Sequence, residues 1–169
     1  MKMLNNQKGV GLVEVLVSLL ILALGIMGFA ALQYRAMEAT SESSARVEAI
    51  NLARDFAERL RVNRGAIETY KTELKKATDQ QASSKICSKE MCSAADMADF
   101  DVAQLTQKAA VRGMSVNLEN CQGNSDERSC IYIAWGDTAP TNGDANGEGN
   151  CTTSTAYDPS STCLIMEVY

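Results

Sequence analysis

The constraint that rules this chain is an apolar run near its N-terminus. Residues 10–32 carry a single charge, Glu14, and the stretch 15–32 is 18 residues with none. As a helix that stretch spans about 27 Å, close to the thickness of a bilayer core. Residues 1–9 are polar, and Lys2 and Lys8 are their only charges. Basic residues on the N-terminal side place the N-terminus in the cytoplasm and the remainder outside. A carboxylate inside such a segment is costly, by about 2.5–3.5 kcal/mol at the bilayer centre and less toward the interface, and it is ordinarily kept for a partner.

Past Leu32 the composition turns polar, yet neither Pro nor Gly occurs in 33–64. Met37, Val47, Ile50, Ala53, Ala57 and Leu60 recur at helical spacings, with Phe56 flanking them. Glu42 and Arg46, Arg54 and Glu58, and Asp55 and Arg59 stand four apart with opposite charge. One helix of about fifty residues follows, ended by Gly65, and a helix that long needs something to bury both halves. Arg59, Arg61 and Arg64 read as a solvated face that also suits the negative end of the helix dipole.

The rest has mixed periodicity. Residues 67–77 and 96–111 read as helices, with a polar loop over 78–93 between them. The period then changes to two. Met114, Val116 and Leu118 alternate with polar residues, Ile131, Ile133 and Trp135 alternate with Tyr132 and Ala134, and 164–169 is a terminal apolar run. These predict three strands, a turn over 120–129 and a long loop over 136–162. The expected class is α+β, with a small antiparallel sheet.

Composition removes several functions. There is no histidine, so histidine acid–base chemistry and the usual zinc ligand sets are gone. With 16 basic and 21 acidic residues, a dedicated nucleic-acid surface is not indicated. No nucleotide-binding loop or nucleophile elbow occurs. The six cysteines follow an export-type segment and read as a disulfide framework. Six cysteines allow fifteen pairings, and pairing of sequence neighbours is expected: Cys87 with Cys92, Cys121 with Cys130, Cys151 with Cys163. No C-x-x-C pair is present, which disfavours a zinc site or a thiol oxidoreductase. The segment 144–150 alternates oxygen-bearing and small side chains as calcium loops do, but lacks the distal glutamate and reads as a flexible surface loop. No metal or cofactor is expected.

The junction Lys8-Gly9-Val10-Gly11-Leu12-Val13-Glu14 resembles the prepilin signal. The resemblance implies cleavage after Gly9 by a dedicated membrane peptidase and methylation of the new N-terminus at Val10, which stands where phenylalanine is commonest. It makes Glu14 the family's hallmark acid, and the α-amino group of a neighbouring subunit is its natural partner. The run 51–64 resembles the helix end of PilV-type minor pilins, with its Arg59-Leu60-Arg61-Val62-Asn63-Arg64 sequence, and 101–106 resembles the short helix before their first strand, with Leu105 where tryptophan is frequent. The pilin fold is therefore implied, a long N-terminal helix packed on a small antiparallel sheet. The implied organisation is a leader over 1–9, a transmembrane and assembly helix over 10–32, and a periplasmic domain over 33–169. The implied role is structural and not enzymatic: a minor pilin of a type IV pilus, priming assembly at or near the tip and supporting motility, adhesion or DNA uptake. Its partners would be other minor pilins, the major pilin, the prepilin peptidase and the inner-membrane assembly platform. It would sit in the inner membrane before assembly, and in the periplasm and surface pilus afterwards. A pseudopilin of type II secretion shares the leader and helix; the six cysteines and the long C-terminal loop favour the pilus. A membrane-anchored periplasmic enzyme would need a polar catalytic cluster, and the missing histidine weighs against it.

Overall fold

A 51-residue helix, α1 (Leu12–Val62), dominates the chain. The computed structural model describes residues 11–76, 80–123, 125–126, 128–143, 149–154 and 156–168. Gly9, Val10 and positions 144–148 of the calcium-like segment lie outside the described residues. The described part divides into two compact units, one ending at Ser43 and one beginning at Ser44.

In the first unit α1 is apolar on every side from Val15 to Leu32 and polar from Gln33 on, and its large apolar side chains lie exposed. Leu12 is 77% exposed, and even Val15, among the more covered of its large side chains, is 49% exposed. By length and composition this helix is able to cross a membrane.

In the second unit the rest of α1 is amphipathic. Ala49, Leu52, Ala53, Phe56 and Leu60 are buried at spacings of three and four. The core stripe therefore lies off the one expected from sequence. Val47 is exposed, Ile50 and Ala57 are half-buried, and Phe56 is central, its ring edge-on to Tyr70 at 5.7 Å. Met37, on the first unit, is exposed. The helix stops at Val62, before Gly65, because Asn63 leaves helical geometry and turns its side-chain amide to the Ala94 carbonyl, 2.8 Å away. Gly65 lies inside a 3-10 turn (Arg64–Ala66) that leads into α2 (Ile67–Leu74). Helix α3 (Ala94–Val111) begins with a capping box. Ser93 Oγ accepts from the Asp96 amide at 3.2 Å, and Asp96 accepts from the Ser93 amide at 3.0 Å.

The two strands read from alternation and the one read from the terminal apolar run pair as one antiparallel sheet: β1 (Met114–Asn120), β2 (Ser129–Trp135) and the C-terminal strand Cys163–Val168. Central β2 is buried at all seven positions because both its faces are covered. Ile131, Ile133 and Trp135 join the core formed with the helices, while Cys130, Tyr132 and Ala134 cluster with Cys151 and Cys163.

The segment 136–162 is not one long loop. It holds β3 (Ala139–Gly143), β4 (Asn150–Thr153) and β5 (Ala156–Tyr157), a second sheet in that order, so the C-terminal strand Cys163–Val168 is β6. These strands lack apolar alternation and are fixed by other means. A Cβ at Gly143 would lie 2.5 Å from the Thr152 carbonyl oxygen, so only glycine permits this approach. Pro140 sits on β3, an edge strand, where its missing N–H costs no ladder bond. Thr152 Oγ donates to Gln122 Oε1 at 2.6 Å, tying β4 to the β1–β2 turn.

Candidate assembly site

Glu14 occupies the first turn of α1, where the positive end of the helix dipole favours a carboxylate. Its amide donates to the Gly11 carbonyl at 2.9 Å, and its own carbonyl accepts from Ser18 Oγ at 2.7 Å. Its carboxylate has no hydrogen-bond or ion-pair partner among the described residues, and Leu12 and Val13 beside it are exposed. The chain thus presents an acid within an uncovered apolar surface.

At the other end of α1 lies a polar cluster that the sequence pattern does not reveal. Arg59 Nε donates to Asp55 Oδ1 at 2.9 Å, as the four-residue spacing predicts, and its Nη1 donates to Asp101 and to Gln104 Oε1 on α3. Tyr70 of α2 donates to the other Asp101 oxygen at 2.6 Å, and Lys108 of α3 to Asp55 Oδ2 at 2.8 Å. Asp101 is only 7% exposed, so one buried carboxylate joins three helices. The solvated-face reading therefore fails for Arg59, whose side chain is 21% exposed, and suits Arg61, at 53%. Glu58 pairs with Arg61, at 3.7 Å, and not with Arg54. The signal that could have exposed the cluster is one residue: Asp101 falls on the buried face of α3, between Ala98 and Leu105.

The electrostatics follow from burial and pairing together. Burial pushes the Asp55 carboxyl up, but hydrogen bonds from Lys108 and Arg59, with their charges, outweigh it and hold the group below the ordinary carboxylate value. Burial opposes the Arg59 charge, and its bonds to Asp55 and Asp101 more than restore it. Burial, then the bond to Asp101, raises the Tyr70 phenol. Among the described residues no buried side-chain polar atom lacks a partner. Groups that satisfy one another in this way hold elements together.

Three disulfides join the expected neighbours: Cys87–Cys92, Cys121–Cys130 and Cys151–Cys163. The second closes the turn between β1 and β2, and the third staples β4 to β6.

Comparison with protein families gives two adjoining matches. Residues 4–30 match the prokaryotic N-terminal methylation motif, and residues 31–103 match the family described as type IV pilin Tt1218. No curated protein and no solved structure matches the chain. The first match contains Lys8, Gly9, Val10 and Glu14; the second runs from the apolar helix through the Arg59–Asp101 cluster. With the long N-terminal helix and the small antiparallel sheet, these matches show a pilin-like α+β fold that carries the N-terminal methylation motif and is similar to the type IV pilins over residues 4–103.

Proposed function

We propose that this protein is a minor pilin, made as a prepilin, cut between Gly9 and Val10, methylated at Val10, and inserted at or near the tip of a type IV pilus where it helps prime assembly. The observation that carries the reading is Glu14, a carboxylate without a partner among the described residues, in a helix whose large apolar side chains are exposed, within the methylation-motif match. Cleavage creates an α-amino cation four residues before that acid. In a bundle of such helices the amine of one subunit neutralises the carboxylate of the next, and the pairing offsets desolvation where the geometry is good. Before assembly the chain is held in the inner membrane by α1 with its N-terminus cytoplasmic. Its partners are the prepilin peptidase, the assembly platform, other minor pilins and the major pilin, and the activities served are motility, adhesion or DNA uptake.

The test is N-terminal mass analysis together with the amount of the chain in sheared pili. The expected mature chain starts at a methylated Val10. A chain starting at Met1 or after Ala31 breaks the prepilin reading. Glu14→Ala should leave the soluble domain folded and its membrane level intact, while its content in sheared pili falls. Unchanged incorporation would show that Glu14 is not an assembly contact. Co-purification with a secretion apparatus instead of pili would favour the pseudopilin alternative.

A further inference from the structure

The three disulfides stand in different surroundings. Cys130, Cys151 and Cys163 are buried in the cluster behind β2, and Cys121 packs against it. Cys87–Cys92 belongs to neither buried cluster. Both of its cysteines are half-buried, and the residues between them, Ser88 to Met91, are all exposed. Thiol exchange begins when a thiolate reaches a disulfide sulfur, so access decides which bridge is open to it. The hydrogen bonds around this ring are local. The Ile86 amide donates to Glu90 Oε1 at 3.0 Å, and the Lys89 amide to the Ile86 carbonyl at 2.9 Å. The ties from this connection to α3 lie before the ring, in Ser84 bound to Asp99 and Lys85 bound to Asp96. Opening the ring therefore leaves α3 and the core in place.

The two sulfurs of the exposed bridge are not equivalent. Cys92 comes just before Ser93, the N-cap of the 18-residue α3, and so stands at the positive end of the helix dipole. The Asp96 carboxylate at that end is neutralised by Lys85 Nζ, 2.7 Å away. Cys87 Sγ instead lies 3.6 Å from the Asp96 carbonyl oxygen, the negative end of a peptide dipole, and the Ile86 amide beside it holds the Glu90 carboxylate. Negative charge is therefore carried better on Cys92 than on Cys87. A disulfide exchanges most readily in the direction that releases the sulfur better able to carry charge, so attack falls on Cys87 and Cys92 departs.

We propose that Cys87–Cys92 is a redox-sensitive catch, opened by a dithiol reductant that attacks Cys87 and releases Cys92 while the other two bridges stay closed. One thiolate of the reductant forms a bond to Cys87 Sγ. The Cys87–Cys92 bond breaks, and its electron pair goes to Cys92 Sγ, which takes a proton from water. The second thiolate of the reductant then attacks its own sulfur in the mixed disulfide and frees Cys87. The reductant ends as a disulfide, and two electrons have passed to the chain. The opened segment can extend, and Lys89 within it becomes a site of proteolytic nicking. Full-chain protein in detergent, equilibrated with rising ratios of reduced to oxidised dithiothreitol, alkylated and read by peptide mass, tests the order of opening. Cys87 and Cys92 should be labelled together at a ratio about tenfold or more below the one that labels any other cysteine. Three bridges opening together, or another opening first, would overturn the proposal. A thioredoxin-type protein with its second active-site cysteine replaced by serine, and so unable to complete the second step, should be trapped on Cys87. Trapping on Cys92, or equally on both, would overturn the direction of attack. After selective reduction trypsin should cut at Lys89 about tenfold or more faster, with the unfolding transition near that of the oxidised chain. The double change Cys87→Ser with Cys92→Ser should show the same sensitivity without reductant. Unchanged cutting in both would mean that the disulfide is not what holds the segment closed. These readouts hold whether or not the chain enters pili.

Discussion

The two halves of α1 have the same backbone geometry and opposite sources of stability. From Leu12 to Met37 the large apolar side chains lie open, and no described part of the chain buries them. From Ala49 to Leu60 the inward residues are covered by α2, α3 and the first sheet. Secondary structure alone therefore says nothing about what holds a helix. The first half is exposed and, by length and composition, able to cross a membrane; the second is satisfied within the chain. A pilin-like subunit needs both, since the first half must leave one apolar environment for another while the second stays folded.

The sharpest way to break that contrast is to truncate one side chain in each half. Phe56→Ala empties a fully buried site and should cost about 3–5 kcal/mol. Leu20→Ala, at a residue 62% exposed, should leave unfolding of the second unit unchanged. Denaturant unfolding of the full chain in detergent, followed by the fluorescence of Trp135, the sole tryptophan, reads both. Equal costs would mean that the first half is folded against something in the same chain.

A smaller effect is expected from the polar cluster. Asp101→Ala strips acceptors from Arg59 and Tyr70, yet Arg59 keeps Asp55 and some access to water. The cost should be about 2–3 kcal/mol, below that of breaking a fully buried pair. Tyr70→Phe removes the hydrogen bond to Asp101 and the longer one, 3.4 Å, accepted from Asn63, and should cost about 1–2 kcal/mol. A double-mutant cycle with Arg59→Ala and Asp101→Ala should be non-additive, because each single change already leaves the other group without its partner. Additive costs would show that the Arg59–Asp101 contact does not couple α1 to α3.

Much of this architecture is legible in the amino-acid sequence. The apolar run sets the helix, the period of two sets β1 and β2, the terminal apolar run sets β6, and cysteine proximity matches the bonded pairs. What stays hidden is hidden for physical reasons. The second sheet has no apolar period; it depends on Gly143 admitting a close backbone and on Thr152 and Gln122 bonding across strands, and neither leaves a pattern in one sequence. The capping box at Ser93 uses aspartate where glutamate or glutamine is the usual signature. Arg59 looks solvated in sequence because its second partner, Asp101, lies 42 positions away. Of the assembly site, Glu14 stands out at once, since a lone charge within an apolar run is conspicuous by position alone.

The smallest expected effect lies in the acid limb of stability, and it too falls on the second unit. Asp96 accepts from Lys85 first, then from Ser93, and these bonds bring its pKa down to about 2 from an ordinary value near 3.8. Asp55 is also lowered, for the reasons of pairing given above. A carboxylate with a depressed native pKa binds protons more readily in the unfolded chain. Its stabilisation is therefore complete above the unfolded value and is lost as pH falls through the native one. Urea midpoints should accordingly be insensitive to these two groups at pH 5 and above, and should decline from about pH 4 toward pH 2. Asp96→Asn removes the charge that Lys85 neutralises, so its profile should lie slightly below wild type at pH 6 and converge with it near pH 2. A gap that instead stayed constant on acidification would mean that the capping box, and not the ion pair with Lys85, sets what Asp96 contributes.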